Sequence, residues 1–162
     1  MVDDSSTAYK VKGCEILTKF LKTAPTQMLE RTGLGEVFQN ALMPYLLYLP
    51  TLTPEKESLQ LLSAVYPTLI ALTNARFAEE KDLASRTKAF DQLFRYGVFK
   101  GYTHAGENVR IAEFLVYRTT DLVKEMGIAS LKHLKVREVE GSLSKWSLKF
   151  ALSTYFLSSR GY

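Results

Sequence analysis

Residues 108–126 read NVRIAEFLVYRTTDLVKEM, and this stretch decides the fold class. Ala112, Leu115, Val116, Thr119, Leu122, Val123 and Met126 recur at the i, i+3, i+4, i+7 spacing that lines up one side of an α-helix. Arg110, Glu113, Tyr117, Asp121 and Lys124 fall on the other side. Gly127 comes next, and a glycine there can take the left-handed conformation that stops a helix. The segment predicts an amphipathic helix with one buried face.

The same period recurs upstream. Thr53-Pro54-Glu55 offers a capping hydroxyl, a proline suited to the first helical position and an acid where the helix dipole favours it. The helix it opens carries Leu59, Leu62, Tyr66 and Leu69 on one face and Leu61, Val65 and Leu72 on another, which predicts burial from two sides. Residues 10–22 place Val11, Cys14, Leu17 and Leu21 on one stripe, and residues 25–31 form a short helix stopped by Gly33. In the next segment, 35–49, Pro44 lacks the amide for its helical bond and costs about 3 kcal/mol in an unkinked interior, so a kink or break is expected there. Pro67 poses the same problem in the helix that follows Pro54. Residues 82–96, with Leu83, Thr87, Phe90, Leu93 and Phe94 inward, end near Gly97.

No run of period-two alternation bounded by hairpin turns occurs, so the fold class is all-α. Short helices in succession leave a bundle or an α-solenoid of stacked helix pairs. The opening favours the solenoid: Asp3-Asp4, Val11-Lys12, Gly13-Cys14 and Leu17 resemble the second helix of a HEAT repeat.

Composition bounds the function. The chain has 162 residues, 46% of them hydrophobic and 23% charged, as in an ordinary soluble domain with one core. A single cysteine, Cys14, rules out an internal disulfide framework and a four-cysteine zinc site. Met1 is followed by Val-Asp-Asp-Ser-Ser with no early apolar run, and no apolar stretch is long enough to span a bilayer, so a cytoplasmic or nuclear location is expected. The net charge of +4 is not spread over the body. Residues 1–127 carry 15 basic and 15 acidic side chains, and residues 128–162 carry 6 and 2.

Two longer strings carry a family resemblance. The first runs Leu29-Glu30-Arg31-Thr32-Gly33-Leu34-Gly35-Glu36-Val37-Phe38, then 41–50 (ALMPYLLYLP), Leu52 to Glu55, Glu57-Ser58-Leu59 and Tyr66-Pro67. The second runs 101–110 (GYTHAGENVR) and continues to Glu125-Met126-Gly127-Ile128 and Lys132-His133-Leu134-Lys135. Over residues 3–135 the chain resembles the Tel-two-interacting protein two family, especially its fungal members. The resemblance implies a HEAT-like solenoid fragment in the TTT co-chaperone complex, joined to Tel-two and Tel-two-interacting protein one. Through the Hsp-ninety machinery that complex stabilises phosphatidylinositol-3-kinase-related kinases, which serve DNA-damage signalling, telomere maintenance and growth control. Members of the family are longer, so this chain is expected to hold a middle piece. The resemblance stops at Val136-Arg137, where residues 136–162 read as an atypical basic and aromatic tail. Val136-Arg137 fits a splice donor read in frame, so the tail is expected to be translated intron; the alternative is a lineage-specific helix.

Chemical readings find few residues. His104 and Glu107 lack the spacing of a zinc helix, and helix capping and loop hydrogen bonding are the expected uses of both. Gly33-Leu34-Gly35 and Gly97 to Gly101 follow no strand and precede no Lys-Ser/Thr, so they read as helix stops, not phosphate loops. Cys14 lies on an apolar stripe as a small hydrophobe. No nucleophile, base and acid stand in a recognised order, so neither catalysis, cofactor nor metal is expected. Lys145, Trp146, Lys149, Phe150, Tyr155, Phe156 and Arg160 could stack bases, and Trp146 to Leu157 could lie in a membrane interface. The helix pattern and, more strongly, the resemblance favour protein partners over both, and the neutral body argues further against nucleic acid. Exposed aromatic and arginine side chains near loops are generic anchors, which singles out Tyr102, His104 and Arg110 as partner-binding residues.

Overall fold

The computed structural model describes residues 4–79 and 82–130. Among the described residues every regular element is helical. In order they are α1 (Asp4–Thr23), α2 (Thr26–Thr32), α3 (Leu34–Leu42), a 3-10 segment (Met43–Leu47), α4 (Glu55–Arg76), α5 (Leu83–Leu93), a π-helical segment (Phe94–Phe99), α6 (Lys100–Ala105), α7 (Val109–Met126) and a 3-10 turn (Gly127–Ser130). One compact unit extends to Leu122 and a second begins at Val123. The tail at 136–162, with its base-stacking, membrane and intron readings, lies outside the described residues.

In the first unit α4 is the hub, packing on α1, α2, α3, α5 and the 3-10 segment. Leu61, Leu62, Val65, Tyr66, Leu69 and Leu72 are all buried, so both expected apolar faces are covered. Each such side chain contributes about 1.5–3 kcal/mol on leaving water. Polar residues bind the helices at fixed points. The Thr18 and Thr68 hydroxyls hydrogen-bond at 2.8 Å across α1 and α4, and Thr68 also reaches the Cys14 carbonyl at 3.3 Å. Cys14 is buried as its stripe predicts, and burial raises its thiol pKa, with the Thr68 contact pulling weakly the other way.

Prolines and caps divide the outcome. At Pro44 the α-helix gives way at Leu42 and the chain tightens into the 3-10 segment, as expected. Pro67, in contrast, is carried inside α4 without ending it. It is exposed, so the Ser63 carbonyl it leaves without a helical partner faces the solvent side of the hub. Thr53 does not cap α4. The helix starts one residue later with Pro54 as its cap residue, while Thr53 is buried and its carbonyl accepts from the Ser58 hydroxyl at 3.2 Å.

Gly97 is not a stop. The chain stays helical from Leu83 through Ala105 by widening to a π-helix over Phe94–Phe99. Gly97 faces Tyr66 so closely that a β-carbon would sit 2.7 Å from its hydroxyl oxygen. The residue is therefore required for close approach between the π-segment and α4, not for a turn. Phe90, Leu93 and Phe94 are buried as predicted, but Leu83, at the exposed start of α5, is 62% accessible. Of the predicted stops, Gly33 and Gly127 take the left-handed conformation, with φ of 67° and 53°.

On α7, Leu115, Leu122 and Met126 are buried as the opening motif predicts. Ile111, outside that stripe, is buried completely, and Ala112, Val116 and Thr119 are half-buried, so the covered face is turned towards Ile111. Phe114 meets Tyr66 edge-on at 5.8 Å, and the Arg118 guanidinium lies 5.2 Å above the Phe114 ring. In the second unit, the Ser130 hydroxyl donates to the Gly127 carbonyl at 2.7 Å and closes the 3-10 turn.

Candidate protein-binding site

Two parts of the quoted strings meet in space: the first turn of α4 and the loop between α6 and α7. Glu55 stands in that first turn, where its charge complements the helix dipole. Its Oε2 accepts from Asn108 Nδ2 at 2.8 Å, and its Oε1 lies 3.5 Å from the Arg110 guanidinium. Asn108 works from both ends of its amide, because its Oδ1 also accepts from the Ile111 backbone N–H at 3.1 Å. That bond caps α7, a function worth about 1 kcal/mol. The neighbouring carboxylate, Glu57, accepts from the Thr7 hydroxyl of α1 at 2.9 Å. One turn of α4 thus ties down α1 on one side and the α6–α7 loop on the other.

The three residues picked from sequence lie on or beside this loop in different settings. Arg110 has 76% of its side chain accessible and pairs with Glu55, a contact that at such exposure contributes under about 1 kcal/mol. His104 is exposed on the last turn of α6. Tyr102 is half-buried, with its ring and carbonyl against Gly106, where a β-carbon would come within 2.5 Å of that carbonyl. The loop therefore presents a guanidinium and an imidazole on a hydrogen-bonded base. Such a base can position side chains for a partner.

Sequence reasoning did not anticipate Glu55 and Asn108 as the support of this loop. Each stood in a quoted string, but they are 53 positions apart and their meeting depends on the fold between them. A second surface was also missed. Lys10 Nζ donates to the Tyr48 hydroxyl at 3.2 Å and lies 4.3 Å above that ring, while Tyr45 meets Tyr48 edge-on at 5.6 Å. Its only sequence signal was the pair of tyrosines, Tyr45 and Tyr48, that follows Pro44. Among the described residues no three His, Cys, Asp or Glu side chains group so as to hold a metal, and no helix is long and apolar enough to cross a membrane.

No curated protein and no solved structure matches the chain. The Tti2 family model matches residues 1–136, a span that takes in α1 to α7 and both halves of the Glu55–Asn108 junction, and the chain belongs to the Tti2 family.

Proposed function

We propose that this chain is a non-catalytic scaffold of the TTT co-chaperone complex, working in the cytoplasm or nucleus. Family membership over residues 1–136 is the observation that carries the reading. In this role it joins Tel-two-interacting protein one and Tel-two. The assembly then acts with the Hsp-ninety machinery to stabilise phosphatidylinositol-3-kinase-related kinases. Its helices stack in pairs as a HEAT-like solenoid; the burial of α4 on two faces, with α1 against it, supports that arrangement. Tyr102, His104 and Arg110 contact a partner from the loop that Glu55 and Asn108 hold.

Affinity purification of the tagged chain from cell extract, with partners identified by mass, tests the proposal. Recovery of both complex members is expected, together with weaker recovery for Arg110→Glu. Recovery of neither, from a chain shown to be folded by circular dichroism, would overturn it.

A further inference from the structure

The six residues of α6, Lys100–Ala105, are strung between two unlike ends. Downstream the chain is fixed, because Asn108 bonds Glu55 and caps α7. Upstream lies the π turn, a rare departure from α-helical bonding that is frequent at functional sites. There the Lys100 N–H is shared between the Arg95 and Gly97 carbonyls, five and three residues back, where an α-helix uses the fourth.

Little holds α6 down between these ends. Its buried residues are Gly101 and Ala105, which carry no side chain beyond one methyl group. Gly101 lies against Leu115 of α7, so close that a β-carbon would sit 3.2 Å from Leu115 Cδ1. Lys100, Thr103 and His104 are exposed, and the half-buried Tyr102 ring faces Gly106. The neighbouring elements are anchored by larger groups: Phe90 and Leu93 in α5, Phe94 and Val98 in the π turn, Ile111 and Leu115 in α7. Each of those withdraws far more apolar area from water than a glycine or an alanine. A segment with so little buried area opens locally while its surroundings stay folded.

The floor under the π turn favours that opening. Tyr66 Oη is fully buried against Gly97, and among the described residues nothing hydrogen-bonds it. In the closed form the hydroxyl has given up water without gaining a partner. Loosening the π turn returns water to it.

We infer that α6 is a strap that lifts from Leu115 about the π turn, with the Tyr66 hydroxyl favouring the open form. Closed, the strap sets Tyr102 and His104 near Arg110. Open, it carries both away, while Arg110 stays on α7 beside Glu55. On the scaffold reading, the strap decides whether the three residues face a partner together.

Native-state hydrogen exchange of the full chain, read by NMR with no partner present, tests the strap. Amides 101–105 should exchange at least about a hundredfold faster than those of 61–72 in α4, once intrinsic rates are divided out. Low urea should leave their opening unchanged, since a local event exposes little surface. Tyr66→Phe, with a thermal midpoint unchanged or slightly raised, should slow the α6 amides by about fivefold or more, because its closed form holds no unpaired hydroxyl. Both results together support the inference. Exchange of α6 at the rate of α4 overturns it. Fast exchange that Tyr66→Phe leaves unchanged overturns it as well, since the open form then owes nothing to the buried hydroxyl. Either failure leaves the scaffold role standing, because that role is decided by recovery of its partners.

Discussion

Gly97→Ala tests the packing that makes the hub rigid. In an ordinary exposed helix interior the change stabilises by about 1 kcal/mol, because alanine lowers the entropy of the unfolded chain. Here the new methyl carbon would lie 2.7 Å from Tyr66 Oη and 3.3 Å from Leu46 Cδ1. Tyr66 is fully buried, and its ring is flanked by Phe114, so the hydroxyl has no easy way to move. Overpacking of this kind costs about 1–3 kcal/mol, which cancels or outweighs the propensity gain and leaves a net loss of about 0–2 kcal/mol. Urea unfolding followed by circular dichroism measures it, with m unchanged if only the native state is affected. Tyr66→Phe provides the control. Among the described residues no group hydrogen-bonds Tyr66 Oη, and burial raises its pKa while Arg118 pulls weakly the other way. Removing a hydroxyl in that state should be neutral or slightly stabilising. In the double variant the methyl no longer meets the oxygen, so a coupling of about 1–2 kcal/mol should appear. A stabilising Gly97→Ala, or additive effects in the double variant, would refute the close-approach argument.

Other outcomes follow from single contacts. Asn108→Ala removes both the α7 cap and the Glu55 hydrogen bond and should cost about 1–2 kcal/mol in urea unfolding, whereas Arg110→Ala should cost under about 0.5 kcal/mol. Pro67→Ala restores an amide to the exposed side of α4 and should stabilise by about 1 kcal/mol once the freer unfolded chain is allowed for. Cys14 should react with a disulfide reagent at pH about 8 far more slowly in the folded chain than in urea, since the buried thiol resists ionisation. Because its folded pKa lies above the ordinary 9.0, its contribution to stability is complete below that value. It declines as pH rises through the higher folded pKa, which urea midpoints measured on either side of pH about 9 would show.

Helix existence was legible because its signal is local. The stripes of α1 and α4, the break at Pro44 and the left-handed Gly33 and Gly127 all depend on residues within a turn or two of each other. What sequence missed was set by distant neighbours. Gly97 reads as a terminator until Tyr66 is placed over it, and Pro67 reads as a break until its exposure is known. Thr53 has the chemistry of a cap but is buried with its carbonyl turned to Ser58. Ile111 fell outside the counted stripe, because the partners of a helix decide which part of its apolar arc is covered. The same holds for the candidate site. Arg110 was visible as an exposed cation near a loop, but the carboxylate that holds it comes from another helix.

The scaffold reading is tested most directly by sedimentation velocity of the purified chain mixed with purified Tel-two-interacting protein one. A faster-sedimenting species of defined stoichiometry is expected, with a Kd of about 1 μM or tighter, the range of specific complexes. Two components that sediment independently at tens of micromolar, with the chain folded, would contradict it.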